Sequence, residues 1–103
     1  MPWTKVAKTS DLPNAQIRPF EAGGKKIAVA RIGEEFFAID DTCTHAQCSL
    51  GEGMMIDHEV ECPCHGSRFD VQSGSVRFLP ATVPIKTYPV KVEGDDILVN
   101  VED

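Results

Sequence analysis

Two stretches of the chain alternate apolar and polar side chains with a period of two. Lys26-Ile27-Ala28-Val29-Ala30-Arg31-Ile32 breaks at Gly33-Glu34 and resumes as Phe36-Phe37-Ala38-Ile39, which predicts a hairpin. Val90-Lys91-Val92 turns through Glu93-Gly94-Asp95-Asp96 into Ile97-Leu98-Val99-Asn100-Val101, a second hairpin. The one helical candidate is a turn near Ser10-Asp11-Leu12-Pro13. Seven prolines and eight glycines separate the short strands. This pattern predicts an all-β sandwich or barrel. There is no internal repeat or linker, and 103 residues suffice for a single domain over residues 1–103.

Residues 41–81 break the pattern. They hold all four cysteines and all three histidines, with few alternating runs. We expect a loop-rich lobe there, inserted in the β scaffold and built around something other than a hydrophobic core.

Composition narrows the class. The apolar share of 42% and charged share of 25% are those of a soluble globular protein. No apolar run approaches the roughly 20 residues that span a bilayer. The start, Met1-Pro2-Trp3-Thr4-Lys5, has no apolar segment behind a basic head, so we expect a cytoplasmic protein without a secretory signal. The net charge of −6 arises in the second half, where Glu52, Asp57, Glu59 and Glu61 lie close together. Nucleic acid and anionic membranes are disfavoured as partners, because phosphate binding needs a basic footprint. An acidic patch suits a basic protein face instead.

The candidate chemistry lies in Cys43-Thr44-His45 and Cys62-Pro63-Cys64-His65. Each group offers a thiolate and an imidazole at short spacing, and Cys48, Cys64 and His58 are left over. Three readings compete. Zinc would take two sulfurs and two nitrogens, but structural zinc sites favour Cys-x2–4-Cys on one arm and His-x3–5-His on the other. Disulfides alone sit poorly with a cytosolic chain. A [2Fe–2S] cluster with two cysteines on one iron and two histidines on the other explains why each group mixes sulfur with nitrogen.

Cys43-Thr44-His45 followed by Cys62-Pro63-Cys64-His65-Gly66-Ser67-Arg68-Phe69-Asp70 resembles the two boxes of the Rieske family, C-x-H and C-x-x-H-G. Gly74 and Leu79-Pro80-Ala81 resemble its cluster-covering proline loop. The tail from Ile85 to Val92 is similar to that of ferredoxins from aromatic-ring dioxygenase systems, and the likeness covers nearly the whole chain. The resemblance implies the antiparallel Rieske fold and one [2Fe–2S] cluster. Cys43 and Cys62 would hold one iron, and His45 and His65 the other through Nδ1. Neutral imidazoles in place of two thiolates leave the oxidised centre uncharged, which raises its potential above that of an all-cysteine cluster.

The resemblance also carries departures from the dioxygenase ferredoxins. Cys48 and Cys64 match a pair that forms a loop-tying disulfide in the Rieske proteins of quinol-oxidising complexes. In a reducing cytosol the same two residues could instead be thiols packed as small apolar groups. Ser67 matches a serine of that branch that donates to a bridging sulfide. Phe69 stands where that branch has a tyrosine bonded to a ligand sulfur. Without the phenol, a low-to-intermediate potential is expected.

The implied function is one-electron carriage from a flavin-containing reductase to the terminal Rieske oxygenase of an aromatic-ring dioxygenase. The chain would have no turnover site of its own and would act most simply as a monomer. The alternatives are the small Rieske subunit of an assimilatory nitrite reductase and a zinc-stabilised interaction module. Among other residues, His58 reads as surface, Phe36, Phe37 and Tyr88 as core, and Trp3 as packed near the terminus. Met54-Met55 reads as filling space under a loop, and Gly66 and Gly74 as turn-formers.

Overall fold

The structure is a computed structural model, and it describes residues 3–44, 48–64, 66–79 and 81–101. Among the described residues there are three antiparallel sheets. The first holds β1 (Trp3–Lys8), β10 (Val90–Glu93) and β11 (Asp96–Asn100), with β11 central. The second runs β2 (Gln16–Ala22), β3 (Lys25–Ile32), β4 (Glu35–Asp40) and β9 (Thr87–Tyr88). The third runs β5 (Met54–Ile56), β6 (Glu59–Glu61), β7 (Arg68–Asp70) and β8 (Val76–Phe78). Both predicted hairpins are present, as β3–β4 and β10–β11. The expected helical turn is a 3-10 turn at Thr9–Asp11, and a second 3-10 turn occupies Leu50–Glu52.

The second sheet is the middle layer, and β3 explains why. Ile27 and Val29 enter a core shared with the first sheet, where Ile97, Val99 and Leu12 meet them. Ala28 and Ala30 point the opposite way, into a core shared with the third sheet. Small side chains on that face leave room for Leu50, Val60 and Phe69, all fully buried. Each such side chain contributes roughly 1.5–3 kcal/mol over exposure. Tyr88 lies in the first core, with Phe36 packed at its edge, and Phe37 packs at the edge of the second.

The lobe differs from the sequence expectation. It has a four-stranded sheet and an apolar core, which it shares with the middle layer. Its strands have three residues each, too few to register as alternation. Val60 of β6 and Phe69 of β7 sit directly opposite each other, so one inward side chain per strand suffices. Met54-Met55 also divides. Met55 packs against the core, whereas Met54 is 58% exposed and fills no space. His58 is exposed, and Trp3 lies under the Lys91 ammonium, 4.5 Å from its ring centre.

Candidate metal centre

Three loops of the lobe are tied together, and the first two are each closed by backbone bonds of their own. The first leaves β4 at Asp40. Thr42 pairs with Ser49, and the Cys43 N–H donates to the Cys48 carbonyl at 3.0 Å. The second follows β6, where the Cys62 N–H donates to the Ser67 carbonyl at 2.7 Å and the Gly66 N–H donates back to the Cys62 carbonyl. Gly66 sits at φ +78°, a left-handed conformation that side chains with a Cβ rarely adopt, so the tight turn after the second box needs glycine. The third loop follows β8 and is tied to both others. Thr44 Oγ1 donates to the Val83 carbonyl at 2.7 Å, and the Ala81 N–H donates to Ser67 Oγ at 3.0 Å.

The root of the first loop is held by a residue that sequence reasoning missed. Asp41 is buried, and its Oδ1 accepts from Ser49 Oγ and from the Gly51 N–H, both at 2.8 Å. Its own carbonyl accepts from the Leu50 N–H. In the sequence Asp41 is one of two adjacent acids, and nothing local marks it as the inward one. Its neighbour Asp40 accepts from the Tyr88 hydroxyl. Burial, with that bond and the carboxylate charge, pushes the Tyr88 phenol above its usual range.

At the other end of β7, Asp70 closes the turn into Gly74. Burial acts to raise its carboxyl, but the N–H groups of Ser73 and Gln72 and the Arg77 charge outweigh this and hold it below the ordinary carboxylate range. Gly74 has φ +80°, and a Cβ there would lie 2.1 Å from the Ile85 carbonyl oxygen. Glycine is required by both conformation and space.

Cys43 and Cys62, on separate loops, are 3% and 2% exposed and belong to one buried cluster. Cys48 and Cys64 are joined as a disulfide with Cα atoms 6.4 Å apart, tying the first loop to the second. The sulfurs of Cys48, Cys62 and Cys64 lie within 4.8 Å of one another, but two of them share a bond and offer no thiolate to a metal. Ser67 is fully buried and accepts from Ala81, so its own hydrogen is left to donate within the same buried space. Phe69 is fully buried and brings no donor. Two buried soft sulfurs on paired loops, with a buried hydroxyl beside them, fit an iron–sulfur centre. His45, His65 and Pro80 lie outside the described residues.

The sequence pattern of the Rieske [2Fe-2S] domain matches residues 2–89. The chain belongs to the Rieske [2Fe–2S] family. A Rieske [2Fe–2S] cluster is the cofactor this membership implies. Among similar proteins, the ferredoxin component of biphenyl 2,3-dioxygenase from Rhodococcus jostii (strain RHA1) is 45% identical over 102 residues, covering 99% of this chain and 95% of that one. The ferredoxin of carbazole 1,9a-dioxygenase from Nocardioides aromaticivorans IC177 superposes with a TM-score of 0.92 at 35% identity, covering 96% of this chain and 97% of that one. A chain in the complex of reduced oxygenase and oxidised ferredoxin of carbazole 1,9a-dioxygenase gives a TM-score of 0.89 at 38% identity, covering 96% and 93%. These Rieske relatives are ferredoxin components, which carry electrons and leave turnover to their oxygenases, and the present chain is a Rieske electron carrier of that kind.

The Rieske lobe is less acidic at its surface than the sequence suggests. Glu61 is paired with Arg68 at 3.3 Å, and Glu59 with Arg77 at 3.4 Å. Arg68 also lies 4.5 Å from the centre of the Phe78 ring, its cross-strand partner. Glu52 and Asp57 remain as exposed acids of the group. Among the described residues, no helix is long and apolar enough to cross a membrane.

Proposed function

We propose that this chain accepts one electron from a flavin-containing reductase and passes it to the terminal oxygenase of an aromatic-ring dioxygenase. The observation that supports this best is likeness over nearly the full length to ferredoxin components of such systems, one of them in a complex with its oxygenase. In this reading Cys43 and Cys62 hold one iron and His45 and His65 the other. When bound, the cluster supplies a reversible one-electron couple. The chain's own residues do the rest. The hydrogen bonds of Asp41, Thr44 and Ser67 fix the loops that carry the ligands. Ser67 has a hydrogen to give, and Phe69 withholds one. Leu79, 74% exposed, and Val83, 56% exposed, put apolar surface on the third loop, next to both boxes, where a transient partner would bury it.

The protein would work as a cytoplasmic monomer that shuttles between partners. Stopped-flow mixing of the reduced protein with a purified aromatic-ring oxygenase, its substrate and oxygen tests the proposal. Reoxidation coupled to ring hydroxylation is expected, with a flavin reductase sustaining turnover. No transfer, together with co-purification of a sirohaem subunit, would instead assign the chain to a nitrite reductase. A colourless protein carrying zinc would dismiss both.

A further inference from the structure

Lysines from two distant parts of the sequence meet beside the first box loop. Lys25 and Lys26 begin β3, Lys86 precedes β9, and all three are exposed. With Asp40, Thr42 and Tyr88 they line an open cleft of about 510 Å³. Thr42 adjoins Cys43 in the chain, and the Lys86 carbonyl accepts from the Asp40 N–H where the first loop leaves β4.

The charges of this cleft are unanswered. Lys5, Lys91, Arg68 and Arg77 each pair with a carboxylate, but among the described residues none of the cleft lysines does. The Lys25 ammonium rests on the Val101 carbonyl at 3.0 Å and lies 5.8 Å from the centre of the Tyr88 ring. The Lys86 ammonium lies 5.1 Å from the same centre. One ring thus draws in two like charges, which repel each other, and an anion entering the cleft gains from both. Asp40, the carboxylate that lines the cleft, accepts from the Tyr88 hydroxyl and pairs with none of the lysines. Lys26 also borders a second cleft that holds Glu21 and Glu52, again without an ion pair. A chain of net charge −6 therefore carries a local basic site next to its first box.

We propose that this cleft docks an acidic protein face, that of the flavin-containing reductase, whose carboxylates seat against Lys26 and Lys86. The inference rests on the reading of the chain as a carrier between two partners and says how it tells them apart. Glu52 and Asp57 are the exposed acids that suit a basic oxygenase face. A basic face is repelled by the lysines, so the cleft falls to the other partner. At about 0.1 M salt, charges more than roughly 10 Å apart are screened. The lysines at the contact, and not the net charge of the chain, then govern the final approach.

The test uses the full-length protein loaded with its cluster and a purified flavin-containing reductase of an aromatic-ring dioxygenase. The two are mixed at about 0.1 M salt with a carbodiimide, which joins carboxylates directly to lysines. Cross-links from the reductase to Lys26 or Lys86 are expected. Cross-links confined to other lysines, or none, would overturn the docking site. Stopped-flow mixing gives the functional readout. Lys26→Gln with Lys86→Gln should slow reduction by the NADH-reduced reductase about tenfold, and slow transfer to the oxygenase less than about twofold. Lys5→Gln with Lys91→Gln removes the same charge from the first sheet and should slow reduction less than about twofold. Both variants should keep the wild-type visible spectrum and full reduction by dithionite, which shows the cluster intact. Equal slowing by the two pairs would leave only a net-charge effect and overturn the site. Slowing confined to the oxygenase step would overturn its assignment to the reductase. The carrier reading fails differently: a wild-type protein that dithionite reduces and the reductase does not sinks that reading and the docking with it. Wild-type reduction at a rate the Lys26 and Lys86 variant shares sinks the cleft alone.

Discussion

Replacing Asp41 should loosen the first loop at its root. The Asp41→Ala protein loses an acceptor for the Ser49 hydroxyl and strands the Gly51 N–H, each held at 2.8 Å in the native protein. Hydrogen bonds to a charged group contribute about 1.5–3 kcal/mol each. The two share one oxygen and do not add in full, so a loss of about 3 kcal/mol is expected. For a domain of this size that corresponds to a melting temperature lower by roughly 12–24 °C. Asp41→Asn keeps Oδ1 as an acceptor and loses only the charge, so about 1 kcal/mol and a shift of roughly 4–8 °C are expected. The assay is thermal melting of the loaded protein, followed by circular dichroism and visible absorbance together at one scan rate. If the alanine variant melts no lower than the asparagine variant, the buried carboxylate does not pin the loop and the reasoning fails.

Phe69→Tyr should raise the midpoint potential, because a new phenol beside the buried cysteines can stabilise the reduced, more negative centre. A net hydrogen bond of about 1 kcal/mol equals roughly 40 mV for one electron, and a potential unchanged or lowered in voltammetry would contradict this. The depressed Asp70 carboxyl stabilises the fold above the unfolded value and loses that contribution as pH falls through the folded one. Wild type should therefore exceed Asp70→Ala in stability at neutral pH by more than at pH 3 in urea titrations, and a constant gap would refute it. Gly74→Ala should destabilise by more than about 1 kcal/mol in the same titrations, since strain at positive φ adds to the clash with Ile85. Electron transfer to the oxygenase should slow with added salt. Glu52→Gln with Asp57→Asn should flatten that dependence more than Glu59→Gln with Glu61→Gln, because the latter pair is already matched by arginines; an equal effect would discount the pairing.

The hairpins were legible because alternation and glycine turns coincide at Gly33 and Gly94. The cluster boxes were legible because thiolate and imidazole stand at fixed short spacing in Cys43-Thr44-His45 and Cys62-Pro63-Cys64-His65. The lobe's own sheet was hidden by strand length: one inward residue, Val60 or Phe69, carries no period. The inward role of Asp41 was hidden for another reason. Its partners, Ser49 and Gly51, become neighbours only when the loop closes. The acidic cluster misled in the same way, because Arg68 reaches Glu61 through strand register and Arg77 reaches Glu59 from β8, and neither pairing is visible as a local sequence pattern. Spacing within a loop is local chemistry and reads directly, whereas pairing between loops is a property of the fold.

The midpoint potential of the purified, loaded protein, taken by film voltammetry from neutral to alkaline pH, tests the central account most directly. A reversible one-electron wave near the lower end of the Rieske range, about −150 mV, is the predicted result. A wave near the upper end, about +300 mV, or no wave at all, would contradict a dioxygenase-type carrier built on Cys43, His45, Cys62 and His65.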